Sequence, residues 1–312
     1  MSEFTGILEK KIKRSWSNNF GIENYDERRF GKYVAPETPP FDPVFTIKHF
    51  IKGILTGRRN RFDIGQIDWL RESLQGFQRI YDNLNDEGRA LLVDLLAYRY
   101  LGYRRVKLKR NNKEYRDAIA LGNSLADSKD TYNPHFLHFV LEKLDLNPIG
   151  YDIKLYFRGV GIASDFIIEQ YAYKSGGKTL IEAERGDVVI DAGACWGDTA
   201  LYFAHKVADK GKVYSFEFIP GNIQLFNINK SLNPHLAGQI ELVEHPLSNR
   251  AGDQIYFKDY GPGSRIEFQP FEGQTGSTTT TTIDAVVKSK NIARVDFIKM
   301  DIEGAEPGAL VG

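Results

Sequence analysis

The chain has 312 residues, of which 42% are hydrophobic and 26% are charged, which is the composition of a globular protein with ample apolar material for a core. The formal net charge is zero, so nothing global indicates a nucleic acid or another strongly charged partner. The single cysteine, Cys195, excludes an internal disulfide and a metal site made of several cysteines.

The N-terminal stretch carries no targeting signal. Residues 1–20 lack the apolar segment of a signal peptide, and no apolar run reaches the roughly 18 residues that span a bilayer. We therefore expect a cytoplasmic protein. Residues 1–43 are mainly polar and end in the proline-rich stretch APETPPFDP, which breaks regular elements, so we predict a mobile lead-in or a segment loosely wrapped around the protein.

Residues 44–150 are predicted to form a mostly helical N-terminal region. Apolar residues recur there at helical spacing, and Asn85 stands where a helix N-cap is expected, with acids in the turn that follows. The predicted elements are helices over 44–55, 64–81 and 133–146, a helix that begins after Asn85, and a short strand over 103–110.

The first predicted helix, with the arginines that follow it up to residue 61, carries a basic face. Lys48 and Lys52 lie opposite its apolar stripe. This pattern fits a helix on an anionic membrane surface, a peripheral contact that would suit a lipid-linked glycan acceptor. Packing of the stripe inside the N-terminal region explains the same pattern, and we favour that interpretation.

From residue 151 onward, short β-branched runs alternate with helical segments. Such alternation indicates a parallel sheet built from βαβ units. We therefore predict an α/β domain over residues 151–312. Its predicted strands cover residues 151–157, 187–191, 212–217, 240–245 and 295–301.

A glycine loop follows the second of these strands, in the stretch DVVIDAGACWGDTALYF (residues 187–203). The dinucleotide fingerprint Gly-x-Gly-x-x-Gly lets pyrophosphate lie against the loop backbone and the helix N-terminus. Here Asp191 takes the first glycine position, followed by Gly193 and Gly197. A carboxylate would repel pyrophosphate but suits a positively charged ligand. S-adenosylmethionine has an ammonium and a sulfonium and no phosphate, so the loop indicates a methyl-donor site.

The next predicted strand ends in an acidic residue. Glu217 stands about 20 residues after Gly197, at the separation expected for an acid that binds both ribose hydroxyls of a nucleotide-like ligand. A solvated acid at a strand end is the structural alternative. Together with the loop that begins at Asp191, the ribose role is the better interpretation.

Four blocks resemble, in order, those of the FkbM-type methyltransferases: GDVVIDAGACWGDTALYFA, GKVYSFEFIPGNIQLFNINKSLN, TTTTIDAVV and VDFIKMDIEGAEPGALVG. The resemblance covers roughly residues 151–312. It implies an α/β fold with a Rossmann-like class I methyltransferase sheet, here preceded by a mostly helical region. It also implies methyl transfer from S-adenosylmethionine, usually to hydroxyl oxygens of sugars or natural products.

Positions carried over from the family give a candidate cofactor site. The glycine loop would shape the methionine end, with Cys195 where many such loops have glycine. Glu217 would bind the ribose, and residues 245–248 would lie along the adenine. The candidate cofactor-binding residues are Asp191, Gly193, Cys195, Gly197, Glu217, Phe218, Pro246 and Leu247.

Asp301, at the tip of the last strand, is the first candidate for a catalytic acid or base, because ligands of open α/β sheets bind at the C-terminal ends of the strands. It could instead ligate a divalent metal, contact the methionine moiety, or cap the next helix. His245 is the second candidate base. Oxygen ligands suit Mg²⁺ better than Zn²⁺, but no metal is required, and we assign no metal ligand.

Other chemically notable residues have structural explanations. His135 and His138 lie three apart on a predicted helix without a third metal ligand nearby, so we expect ordinary surface or core histidines. Trp196 is expected to be buried rather than to cover the cofactor. Glu303 and Glu306 are expected to be structural.

The sequence stops soon after the fourth strand of the methyltransferase pattern, whereas family members continue through about three more strands. The last predicted strand would then be an open hydrophobic edge. Either the chain is a fragment of a longer protein, or the N-terminal half covers the sheet. We favour the fragment and expect the methyltransferase sheet to be incomplete at its C-terminal end.

The leading functional hypothesis is a methyltransferase that uses S-adenosylmethionine on a hydroxyl of a sugar, glycan or natural product, with a small-molecule or glycan acceptor. The alternative is a catalytically silent module that binds S-adenosylmethionine or serves as a scaffold. A nucleotide-sugar or NAD-dependent enzyme is disfavoured because Asp191 takes the glycine position.

Overall fold

The computed structural model describes residues 2–25 and 64–312. The described residues fall into two compact units, which divide between Lys113 and Glu114. Residues 114–150 therefore group with the second unit, whereas the sequence places the boundary at residue 150. The predicted helix over 44–55, with its membrane hypothesis, lies outside the described residues.

The first unit begins with helix α1, Glu3–Ser15. The Ser2 hydroxyl accepts a hydrogen bond from the Thr5 amide and caps this helix. Phe4, Leu8 and Ile12 follow one another at four-residue spacing and are fully buried. The predicted mobile lead-in is therefore wrong for this segment, because a narrow apolar stripe is enough to pack a short polar helix.

Two longer helices complete this unit. Asn85 caps the second of them by accepting a hydrogen bond from the Gly88 amide at 2.9 Å, as predicted. Their apolar faces form one core with α1. The elements are a 3₁₀ turn, Ile64–Gln66, helix α2, Asp68–Asn83, and helix α3, Asp86–Leu101. Among the helices that the structure describes, none is long and apolar enough to cross a membrane.

The strand predicted over 103–110 does not form. Gly102 ends α3 with a positive φ of 75°, and a turn follows. The carbonyl groups of Tyr103 and Val106 accept hydrogen bonds from the buried Asn24 side chain. Side chains from the segment after α1 thus bind the backbone groups that a strand partner would need.

The second unit opens with an antiparallel sheet in the order β1-β2-β3. Its middle strand occupies part of the segment predicted as a helix over 133–146, so that prediction is wrong. Leu141 and Leu144 are buried three residues apart, a spacing that imitates a helix. The elements are helix α4, Lys113–Ser124, and strands β1, Ala126–Tyr132, β2, Leu141–Asp145, and β3, Lys154–Phe157.

A short helix and a hairpin lead from this sheet to the parallel one. Helix α5, Gly159–Ile162, continues into a π-helical turn, Ala163–Ile167, in which the Ile168 amide donates to the Ala163 carbonyl at 2.9 Å. The hairpin pairs β4, Tyr173–Ser175, with β5, Lys178–Ile181. None of these three elements was predicted from the sequence.

Four parallel strands form the central sheet in the order β12-β6-β7-β8, which confirms the predicted parallel sheet for four of the five predicted strands. The first, predicted over 151–157, instead forms β3 and pairs antiparallel with β2. Helices α6 and α7 connect successive strands, so the carboxyl ends of all four strands lie at one edge. The elements are β6, Val188–Ala192, α6, Asp198–Val207, β7, Lys212–Phe216, α7, Pro220–Ser231, β8, Ile240–Val243, and β12, Phe297–Met300.

An antiparallel sheet in the order β10-β9-β11 is inserted after β8. Thr282 then caps helix α8 by accepting a hydrogen bond from the Ala285 amide at 3.0 Å. The elements are β9, Gln254–Lys258, β10, Arg265–Glu267, β11, Gly276–Thr279, α8, Ile283–Ser289, and α9, Glu306–Ala309. Among the described strands β12 pairs with β6 alone, and the expected incompleteness of the sheet stays a prediction.

The packing of α1 yields a stability prediction. Leu8→Ala should lower the free energy of unfolding of the first unit by about 2–5 kcal/mol, because it removes a fully buried side chain. Lys10 lies two residues further along the same helix and is exposed. Lys10→Ala should change the free energy of unfolding by less than about 0.5 kcal/mol. Urea unfolding followed by circular dichroism measures both variants, and equal small effects would show that α1 is not part of the core.

Candidate functional site

The glycine loop joins β6 to α6 at the carboxyl edge of the parallel sheet. Gly193 and Gly197 have positive φ angles of 79° and 85°, where glycine is strongly favoured. A Cβ atom on Gly193 would lie 2.0 Å from the Asp301 carbonyl oxygen. The loop therefore requires glycine at Gly193 for its close approach to β12.

Cys195 also lies in the left-handed region, with φ at 45°, which costs a residue with a side chain about 1–2 kcal/mol. This strain explains why glycine suits the position. Burial raises the pKa of the Cys195 thiol far above its usual range, and the nearby Glu217 and Asp198 carboxylates act in the same direction. The thiol is therefore protonated and unsuited to nucleophilic chemistry.

Asp191, the acid at the end of β6, is fully buried. The Thr199 hydroxyl lies 3.0 and 2.9 Å from its two carboxylate oxygens. The Lys299 ammonium lies 3.2 Å from Asp191 Oδ1. From the sequence, Asp191 alone was expected to repel a phosphate group. Because Lys299 balances the charge of Asp191 inside the protein, Asp191 does not do so by itself.

Lys299 reaches Asp191 from β12. This role of Lys299 was not predicted from the sequence. Its Nζ donates to the carbonyl oxygens of Gly193 at 2.7 Å and Ala192 at 3.2 Å. Burial alone would lower the pKa of Lys299, but the carboxylates of Asp191 and Asp198 outweigh burial and raise it. A lysine in the middle of the apolar strand FIKM was the available signal, because a buried lysine requires an acidic partner.

Two further acids lie near the start of α6. Asp198 begins α6, and Asp165 lies in the π-helical turn, a type of distortion that is frequent at functional sites. Burial raises the pKa of Asp198, although Lys299 and a hydrogen bond with Asp165 oppose the shift. Two hydrogen-bonded carboxyl groups need a proton between them, since carboxylates only accept. The start of α6 is therefore lined by buried acids, of which Asp191 and Asp198 act on Lys299.

Glu217 follows β7 and is 7% exposed. Its Oε1 accepts hydrogen bonds from the amides of Phe218 at 2.6 Å and Ile219 at 2.8 Å. Its Oε2 accepts one from the Asn222 side chain at 3.0 Å. Burial raises the pKa of Glu217, while these hydrogen bonds act in the opposite direction. The carboxyl group is held in one orientation.

Trp196 is 5% exposed, which confirms the expected burial. Its indole Nε1 donates to the Asn222 side-chain oxygen at 3.1 Å. The Asn222 side chain therefore joins the glycine loop to Glu217, a link that no spacing in the sequence revealed. Phe218, beside Glu217, packs edge-on against Phe257 at a ring distance of 5.7 Å.

The segment after β8 contains His245, the second candidate base, and two of the candidate cofactor-binding residues. His245 is exposed, and its Nδ1 lies 2.9 Å from the Thr279 carbonyl oxygen. Because a carbonyl only accepts, Nδ1 donates, and Nε2 of the neutral ring is left as an acceptor. Pro246 and Leu247 are buried, and Leu247 packs in the core beside the parallel sheet.

Asp301 lies directly after β12 and is exposed. Its amide donates to the Ala192 carbonyl at 3.1 Å, which places the residue beside the glycine loop. Helix α9 begins only at Glu306, so the alternative that Asp301 caps the next helix is wrong. The Glu306 carboxylate accepts from the Ile302 amide at 2.9 Å, a structural role as expected.

Backbone hydrogen bonds bring most of the candidate residues to one edge of the sheet. The amides of Gly193 and Ala194 donate to the Phe216 carbonyl at 3.1 and 3.0 Å, so the glycine loop lies against the end of β7 and Glu217.

His135 and His138 lie in the loop between β1 and β2 and not on a helix. Within residues 2–25 and 64–312, no group of three or more acidic, histidine or cysteine side chains could hold a metal ion.

Comparisons with known proteins identify the domain. Residues 191–312 match the family described as methyltransferase FkbM domain. The resemblance to FkbM-type methyltransferases is therefore confirmed for residues 191–312. No curated protein matches the chain.

Two solved structures are similar to parts of the chain. Methyltransferase FkbM from Methylobacillus flagellatus KT is 16% identical with a TM-score of 0.40, and the match covers 88% of this chain and 57% of that one. Fibrillarin from Aeropyrum pernix, in complex with natively bound S-adenosyl-L-methionine, is 13% identical with a TM-score of 0.22, over 35% of this chain and 48% of that one. The chain thus spans 57% of the length of the first structure.

The buried ion pair yields a second stability prediction. Lys299→Met should lower the free energy of unfolding by about 3–5 kcal/mol, because it leaves the Asp191 carboxylate buried without its cation. Adding Asp191→Asn to this variant should restore part of the loss. Lys290→Met removes a surface pair with Glu241 and should cost at most about 1 kcal/mol. Thermal and urea unfolding measure all three, and similar losses for Lys290→Met and Lys299→Met would contradict the prediction.

Proposed function

We propose that the second unit binds S-adenosylmethionine and transfers its methyl group to a hydroxyl oxygen of a sugar, a glycan or a natural product. The observation that carries the proposal is the pairing of two features at the carboxyl edge of the sheet. One is the glycine loop after β6, and the other is the buried acid Glu217 after β7. In open α/β sheets this edge is where nucleotide-like ligands bind.

Charge favours this cofactor over a dinucleotide. Two buried acids, Asp191 and Asp198, lie near the start of α6, and both raise the pKa of the buried Lys299. A pyrophosphate placed at this helix N-terminus would meet these acidic side chains. A ligand with an ammonium and a sulfonium and no phosphate is compatible with them.

The residues present fit the cofactor at both ends. The backbone of the glycine loop would hold the methionine moiety, Glu217 would accept a ribose hydroxyl, and the buried Pro246 would lie against the adenine. When bound, S-adenosylmethionine supplies a methyl group on a positively charged sulfur that leaves readily. The protein then mainly has to hold the acceptor oxygen in line and manage its proton.

Asp301 is the proposed base for the acceptor hydroxyl. It is exposed at the carboxyl end of β12, directly beside the glycine loop. His245 is the second proposed base, since its Nε2 is left as an acceptor by the hydrogen bond of Nδ1 to Thr279. Neither role needs a metal ion.

A second function of a different class is a silent cofactor-binding or scaffolding module. Catalytic groups are normally held by neighbours, and the Asp301 carboxylate has no hydrogen bond to another residue in the described part of the chain. This observation favours the alternative, and a transfer assay separates the two functions.

Binding is tested first. Isothermal calorimetry should show binding of S-adenosylhomocysteine and no binding of NAD. Glu217→Ala should weaken S-adenosylhomocysteine about tenfold or more, because it removes a buried acceptor. Binding of NAD in place of S-adenosylhomocysteine would refute the proposed cofactor.

Transfer is tested with the labelled methyl donor and a panel of glycans and small hydroxylated acceptors. Asp301→Asn should lower the rate about 10²–10⁴-fold, as expected for a lost general base, with S-adenosylhomocysteine affinity changed less than about threefold. The exposed Glu303→Gln is the matched control and should retain activity. Binding without transfer to any acceptor would support the silent module.

A further inference from the structure

The Asn222 side chain has only one orientation that satisfies its neighbours. It is 3% exposed and lies between the Trp196 indole and the Glu217 carboxylate. An indole N–H only donates, and a carboxylate only accepts. The amide oxygen must therefore face Trp196 and the amide nitrogen must face Glu217, so Asn222 cannot rotate by half a turn without losing both hydrogen bonds.

The Glu217 carboxylate is almost fully engaged by its own loop. A carboxylate has about four acceptor positions, two on each oxygen. On Oε1, the amides of Phe218 and Ile219 take both positions. On Oε2, Asn222 takes one. One acceptor position on Oε2 is left for a ligand.

We propose that Asn222 is a positioning residue for Glu217, and that the carboxylate so held accepts one ribose hydroxyl of the cofactor rather than both. This inference rests on the proposed function. It differs from the two-hydroxyl contact expected from the sequence, because the loop amides already take the positions that a second hydroxyl would need.

The chain offers a matched control for Asn222. Asn229 lies on the same helix, α7, and is fully buried. It also binds Trp196, through the backbone carbonyl at 2.9 Å, and it bridges to Tyr156 of β3. It has no hydrogen bond to Glu217. A purely structural contribution of a buried asparagine on α7 should therefore appear in Asn229→Ala as well.

A thermodynamic cycle tests whether Asn222 acts through Glu217. Calorimetry with S-adenosylhomocysteine compares Asn222→Ala in the natural chain and in the Glu217→Ala chain. We expect about a tenfold loss of affinity in the first and less than a twofold loss in the second. Asn229→Ala should have the same effect in both chains. Equal losses for Asn222→Ala in both chains would overturn the proposal.

The conservative variant Asn222→Asp separates the two contacts of the side chain. It keeps the shape and the acceptor for Trp196, but it can contact Glu217 only through a shared proton. At alkaline pH, where that proton is lost, it should lose about as much affinity as Asn222→Ala while keeping the near-ultraviolet circular dichroism of the natural chain. This variant also keeps the test decisive if Asn222→Ala does not fold. Natural affinity of Asn222→Asp at alkaline pH would contradict the proposal.

Deoxyribose analogues test the single hydroxyl. Of the 2′-deoxy and 3′-deoxy forms of S-adenosylhomocysteine, one should bind about tenfold more weakly than the parent and the other within about threefold. In Asn222→Ala this difference should shrink. Equal large losses for both analogues would show a two-hydroxyl contact. Absence of binding by the natural chain would instead refute the proposed function, so the two failures are distinguishable.

Discussion

One buried ammonium group, that of Lys299, holds the acid of β6 and the glycine loop in a single arrangement. It contacts the Asp191 carboxylate and the carbonyl oxygens of Ala192 and Gly193. A buried carboxylate without such a partner would be strongly destabilising. Because Lys299 belongs to β12, the shape of the loop depends on the parallel pairing of β12 with β6.

The pairing of Lys299 with Asp191 also changes the physical argument for the proposed cofactor. A carboxylate that is paired and fully buried does not by itself repel phosphate. Asp198 is a second buried acid that acts on Lys299, and it shares a hydrogen bond with Asp165. Asp165 reaches the start of α6 because the chain before β6 forms a π-helical turn. The proposed preference for a cationic ligand therefore depends on this group of acids and not on Asp191 alone.

The proposed ribose end of the site is organised by hydrogen bonds rather than by charge pairing. Glu217 is held by two amides of its own loop and by Asn222, and Asn222 is held by the indole of the glycine loop. The two loops that would bind the cofactor thus contact the same helix, α7. A displacement of one loop would change the orientation of the acid that follows the other strand.

The sequence by itself determined the parallel strands, the glycine loop and the acid after β7, because strand periodicity and loop glycines are local properties. It also determined the Asn85 cap and the burial of Trp196. Tertiary structure alone decided the antiparallel sheet over 126–157, since Leu141 and Leu144 have a spacing that suits helix and strand alike. It alone decided the partners of the buried charges as well. Lys299 and Ala192 are 107 residues apart, and no local pattern records which distant strand will neutralise a buried acid.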